Sequence, residues 1–168
     1  GRLLEFFILL RAGNPDIASH ILSNFYNLTR AEYYRQLDKA NRGKDLSSFI
    51  AYAVQGYRDG LLESLRTIQA SQFEMAWRTL VHDRFAEQRY RKKNVFKRRR
   101  DLVLNMPLNK DMSADEFLLL TPQLAREYSA LSERTLLRDL AVLREMDLVS
   151  EHAGRFRANT SLLRQQMA

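Results

Sequence analysis

The sequence contains no cysteine, which excludes disulfides, thiol nucleophiles and cysteine-ligated metals and removes any need for an oxidising compartment. Its three prolines, Pro15, Pro107 and Pro122, are spaced as helix punctuation and form no Pro-rich linker. With only six glycines it has no P-loop, GxGxxG or GxSxG motif. His20, His82 and His152 are far apart and show no HxxxH spacing, so each reads as a structural or solvated residue. No apolar run reaches the roughly 20 residues of a membrane span. Neither internal repeats nor low-complexity segments occur, apart from one basic run.

What is present is a chain of 168 residues, 45% hydrophobic and 28% charged, the balance of a globular protein of one domain or two small ones. Its formal charge of +7 suggests an acidic partner, with nucleic acid the obvious candidate. That charge is concentrated. Residues 1–84 carry 11 basic and 9 acidic side chains, residues 85–100 carry 8 and 1, and residues 101–168 carry 8 and 10. The excess therefore sits in the run QRYRKKNVFKRRR, Gln88 to Arg100.

Periodicity predicts a mainly α fold. The dense run Leu3 to Leu10 reads as a buried helix stopped by Gly13 and Pro15. Having no polar start signal, that helix is expected to be truncated and the chain to be a fragment of a larger protein. Pro15 and Asp16 open a second helix. Thr29 with Glu32 has the spacing of a capping box, starting a helix that stops at Gly43. Asp45 or Ser47 caps a further helix, weakened by Gly56 and Gly60, and helical spacing continues to Phe85.

The last third reads differently. A helix through Val95, Phe96, Leu102 and Val103 ends at Pro107, and Ser113 with Glu116 forms a second capping-box signature. Thr121-Pro122 opens a short helix. Ser132 caps a longer one, with Leu136, Leu140 and Leu143 facing inward and Arg134, Thr135, Arg138 and Asp139 expected on the other side. Alternation around Ala153-Gly154 then predicts a hairpin. The whole outlines a small winged helix-turn-helix domain with a β-hairpin wing. The expected division is residues 1–90 and 91–168, with a basic joint at 85–100.

Two groups of residues are candidates for binding. On one helix Tyr33, Leu37 and Asn41 recur every four residues with Tyr34 alongside; two rings, an aliphatic platform and an amide suit a purine, and equally suit ordinary packing. In the last third, Arg134, Thr135 and Arg138 on the outer helix face and Arg155 and Arg157 flanking the hairpin turn are candidate DNA contacts, as are Lys97, Arg98, Arg99 and Arg100 of the basic run. In the run, Arg91, Lys92, Arg98 and Arg99 are expected around a mostly polar helix anchored by Tyr90, Val95 and Phe96. The alternatives are a winged helix used for protein contact or regulation, favoured by the near-neutral charge after residue 100, and a basic run that is a solvated connector.

The string GRLLEFFILLRAGNP, followed by AEYYRQLDKANRG, resembles the stretch just downstream of the active-site motif in Fic-domain (Fic/Doc-type AMP-transferase) proteins. That family carries H-x-F-x-[DE]-G-N-G-R-x-x-R, then paired leucines, an apolar helix, a Gly-x-Pro break and a YYxxLxxAN segment. Here Arg2 matches the last Arg of the motif, followed by Leu3-Leu4, Gly13-Asn14-Pro15, Tyr33-Tyr34, Leu37 and Asn41. The resemblance covers residues 1–65 and implies that residues 1–90 are the C-terminal helices of a Fic-like domain. It also implies transfer of AMP from ATP to a hydroxyl of a target protein, with ATP and Mg2+ as the parent protein's cofactors.

Of the nucleotide site, the resemblance implies phosphate or inhibitory-Glu contact for Arg2 and the nucleoside-pocket wall for Tyr33, Tyr34, Leu37 and Asn41. The catalytic His, the acidic metal ligand, the first Arg and the glycines of the motif would all precede Gly1. The chain alone is therefore expected to hold no catalytic residue and no metal, and to be inactive. A cytoplasmic protein without membrane contact, able to form a homodimer, is the expected setting. The alternative is a DNA-binding transcriptional regulator in which the Fic-like part is a dimer scaffold.

Overall fold

Gly13, with φ of 84°, ends the first helix, α1 (Arg2–Arg11), in a left-handed turn that favours glycine. The computed structural model describes residues 2–88 and 93–166. Beyond the turn, Asn14 fixes the break: its Nδ2 donates to the Leu9 carbonyl at 3.0 Å and its Oδ1 accepts from the Tyr57 hydroxyl at 3.0 Å. The short α2 (Asp16–Ser19), α3 (Ile21–Leu28) and α4 (Arg30–Gly43) follow. Then comes α5 (Ser47–Ala86), one helix of 40 residues, preceded by the Asp45 carboxylate accepting from the Ser47 amide and hydroxyl.

The capping box expected at Thr29 does not form. Thr29 does precede α4, but its hydroxyl donates back to the Phe25 carbonyl at 2.7 Å and meets the Tyr52 hydroxyl, while Glu32 turns to Gln36 and Arg35. The expected burial of α1 does not occur either. Phe6 packs on His20 and Glu5 accepts from Tyr26, so one side of α1 is engaged. Leu3, Leu4, Phe7 and Ile8, on the other side, are all more than half exposed.

Gly56 and Gly60 have a packing role that their low helix propensity concealed. A Cβ on Gly56 would lie 2.1 Å from the Phe25 ring, and one on Gly60 would lie 2.3 Å from Ile21 Cγ2. The two glycines let α3 lie directly on the backbone of α5. Beside this contact Phe25, Tyr26, Tyr33, Phe49 and Tyr52 form a ring cluster with centroids 4.7 to 6.3 Å apart.

The chain divides into two compact units, residues 1–71 and 72–168. This division falls earlier than the sequence boundary at 90/91, because Trp77, Val81 and Phe85 of α5 are buried in the core of the second unit. That core is completed by α6 (Lys93–Leu104), α7 (Ala114–Phe117), α8 (Pro122–Ser129), α9 (Glu133–Glu145) and a hairpin of β1 (Val149–His152) and β2 (Arg155–Ala158). Burying each large side chain there contributes about 1.5–3 kcal/mol. Leu102, Val103, Phe117, Leu140 and Leu143 are among those with no exposed surface.

Local signals in this unit work as read. Thr121 Oγ1 accepts from the Leu124 amide at 3.1 Å, with Pro122 at the first position of α8. The Ser113 amide donates to Glu116 Oε2 at 2.8 Å. The exception is Ser132, which precedes α9 three residues after α8 ends but does not cap it through its side chain; its hydroxyl instead lies 3.3 Å from that of Thr135. The strands are antiparallel, with Val149 opposite Ala158 and His152 opposite Arg155, and the turn uses Ala153 and Gly154 at φ 49° and 74°. Two features lie outside the sequence expectation: Met112 pairs with Phe156 through two 2.8 Å backbone bonds, and α10 (Ser161–Gln166) closes the chain, with Leu163 in the core.

Candidate functional site

In the first unit, α4 does carry Tyr33, Tyr34, Leu37 and Asn41, but it does not present them alike. The Tyr33 ring lies 4.7 Å from Tyr26 and 5.5 Å from Tyr34, so it belongs to the internal ring cluster. Tyr26 itself is buried and donates to Glu5 Oε1 at 2.9 Å; burial, and then that carboxylate, push its phenol well above the ordinary tyrosine range. Tyr34 is exposed, with the Arg30 guanidinium over its ring at 5.8 Å. Leu37 is half-buried and Asn41 exposed. Arg2 begins α1, and its side chain lies outside the described residues.

Two grooves of this unit, of about 500 and 730 Å³, lie elsewhere. One runs along α3 and α5 beside Phe25, Gly56 and Gly60; the other runs between α1 and α5 beside Leu4, Ile8, Ile50 and Val54. Among the described residues no group of three His, Asp or Glu is placed to hold a metal ion. Of the side chains that the resemblance implies for the nucleotide site, the described ones are those of the patch on α4.

The basic run resolves into residues with different roles. Asp139, on α9, is fully buried, and both Arg98 and Arg99 reach it from α6 at 2.7 Å. The Tyr128 hydroxyl donates to the same carboxylate at 3.1 Å, and Arg98 lies over the Tyr128 ring at 5.4 Å. The burial of Tyr128 and the Asp139 charge drive its phenol far up. Asp139 is thus on the inner face of α9, not the outer one, and α6 is no solvated connector. Removing one partner of a buried pair costs about 3–5 kcal/mol, so Arg98 and Arg99 are committed to the fold.

The other candidates divide by partner. Lys97 is exposed, and Arg100 is half-buried over the Phe96 ring with its Nε 3.8 Å from Asp101. On the hairpin, Arg155 donates to the Asp111 carbonyl and to Glu116, and Arg157 pairs with the Asp111 carboxylate. The Ser113 amide, then Lys110 and Arg155, hold the Glu116 carboxyl down to about 2. On α9, Arg134 and Arg138 are exposed and make no ion pair among the described residues, with Leu137 exposed between them and Thr135 half-buried beside Ser132. Tyr90, Arg91 and Lys92 lie outside the described residues.

No protein-family model, curated protein or solved structure matches the chain. The assignment of function therefore rests on the residues themselves. Sequence reading missed Asp139, although its place among Leu136, Leu140 and Leu143 at helical spacing was the signal for an inward side chain. Among the described residues no helix is long and apolar enough to cross a membrane.

Proposed function

We propose that the chain is the C-terminal part of a Fic-family protein resembling AMP-transferases, carrying a winged-helix module at its end. One observation supports this reading above the others: the spaced elements of the family pattern fall on successive structural features. Leu3-Leu4 lie on the apolar α1, Gly13-Asn14-Pro15 form a hydrogen-bonded break, and Tyr33, Tyr34, Leu37 and Asn41 share α4. In this reading the parent protein is a cytoplasmic enzyme that uses ATP and Mg2+ to modify a hydroxyl of a target protein. The present chain supplies part of the nucleoside wall and is inactive by itself.

Transfer of radiolabelled AMP tests the proposal. The 168-residue chain should show none, while a longer parent with an intact H-x-F-x-[DE]-G-N-G-R before Gly1 should show transfer and tighter nucleotide binding. Transfer by the chain alone, or a parent whose motif is degraded, overturns it.

A second reading, DNA contact by the terminal module, is supported by Arg134 and Arg138, exposed on α9 and without an ion pair among the described residues, followed by a hairpin that Met112 extends by one backbone pair. With Arg98 and Arg99 committed to Asp139, few phosphate contacts remain. Two or three contacts give a log–log salt slope of about −2 to −3 for duplex binding. Binding that ignores salt, or that survives replacement of both Arg134 and Arg138 by alanine, would exclude this mode.

A further inference from the structure

At about 100° per residue, Leu136, Asp139, Leu140 and Leu143 of α9 point inward, and all four are buried. Arg134, Leu137, Arg138 and Ala141 follow on the opposite side of the same helix. Leu137 is 43% exposed, and the two exposed arginines make no ion pair among the described residues. Three other exposed arginines of this unit are already neutralised: Arg144 by Glu151, Arg155 by Glu116 and Arg157 by Asp111. The outward face of α9 thus joins uncompensated positive charge to apolar surface.

The spacing points to the occupant. Arg134 and Arg138 stand one turn apart, about 6 Å along the axis, and Leu137 and Ala141 form a parallel row of the same spacing. The small Ala141 lets a neighbouring helix approach closely. On such a helix, carboxylates four residues apart meet the two guanidinium groups, and an apolar row covers Leu137 and Ala141. Duplex DNA satisfies the charges less well. Arg155 and Arg157, which would have to reach phosphates beside a groove-bound α9, are held by carboxylates. Glu145, exposed on the same face, would be repelled by phosphate.

We propose that the outward face of α9 docks an acidic amphipathic helix of a partner protein. Its carboxylates pair with Arg134 and Arg138, and its apolar side lies over Leu137 and Ala141. The inference stands apart from the Fic reading, because it uses only described side chains of the second unit. It assigns to protein contact the face that the DNA reading assigns to bases and phosphates.

Fluorescence anisotropy of the 168-residue chain tests it with three labelled probes. One is a helical peptide of three heptads with leucine at a and d and glutamate at e and g. The second has lysine in place of glutamate, and the third is a short DNA duplex. The glutamate peptide should bind with Kd below ~100 μM. Arg134→Glu and Arg138→Glu in one chain should weaken it at least ~10-fold, and Leu137→Ser should weaken it as well. These positions are exposed, so far-UV ellipticity should not change. The doubly reversed chain should instead take the lysine peptide, a swap that loss of folding would not produce. Arg58→Glu, at an exposed position of the first unit, should leave the affinity unmoved. No binding of the glutamate peptide at ~1 mM overturns the proposal, as does binding that ignores the Arg134 and Arg138 changes. A duplex that binds more tightly than the peptide, and is lost from the doubly reversed chain, overturns it too and gives the face to DNA.

Discussion

Arg98 and Asp139, 41 residues apart in sequence, meet at 2.7 Å with the carboxylate wholly shielded from solvent. Arg99 and Tyr128 complete the carboxylate's shell, so α6, α8 and α9 are joined through one buried charge. Such a site is sensitive to the loss of its anion, because two guanidinium groups are left without compensation. Asp139→Ala should destabilise the second unit by about 3–5 kcal/mol in urea unfolding. Tyr128→Phe, which removes one hydroxyl donor, should cost about 1–2 kcal/mol.

The contact between α3 and α5 predicts an inversion of ordinary helix propensity. An exposed Gly→Ala change within a helix stabilises by about 1 kcal/mol. At Gly60 the new methyl would meet Ile21 Cγ2 at 2.3 Å, too close for the two side chains to keep their places. Gly60→Ala should therefore destabilise the first unit by about 1–3 kcal/mol in urea. Ile21→Ala in the same chain should recover part of that loss, a coupling that a double-mutant cycle measures.

Acid should expose the Glu116 contacts. Its folded carboxyl is held down to about 2 from an ordinary value of 4.5, so the unfolded chain binds its proton first as pH falls. The stabilisation is complete above the unfolded value and is lost as pH drops towards 2. Glu116→Gln removes it at every pH. The melting-temperature gap between wild type and Glu116→Gln should be constant above about pH 5.5, narrow below it and close near pH 2.

Two tyrosines should resist ionisation. Tyr26 and Tyr128 are buried, and each donates to a carboxylate that opposes a phenolate. At about pH 11, where free tyrosine is largely ionised, the native phenolate absorbance should be the same for Tyr26→Phe, Tyr128→Phe and wild type. A loss of absorbance in either variant would mean that the phenol titrates normally.

The parts of the fold legible in the sequence were those set by local chemistry. Gly13, Gly43, Pro107 and Thr121-Pro122 mark helix ends because a left-handed turn, a missing amide or a cap acts within a few residues. The hairpin at Ala153-Gly154 was visible for the same reason. What was hidden depends on partners distant in the chain: Arg98 finds Asp139, Gly60 receives Ile21, and Met112 pairs with Phe156. The candidate nucleoside wall was half legible. Period four placed its residues on one helix, but no periodicity distinguishes a ring stacked on Tyr26 from one turned outward, as Tyr34 is.

Trp77 is the chain's sole tryptophan and is packed in the core of the second unit. Indole emission therefore reports on residues 72–168 alone, whereas far-UV ellipticity sums the helices of both units. Heating the protein while recording both signals measures how far the two units melt together. Coincident midpoints mean that α5 passes disorder from one unit to the other; separated midpoints mean that each unit keeps its own melting point along a shared helix.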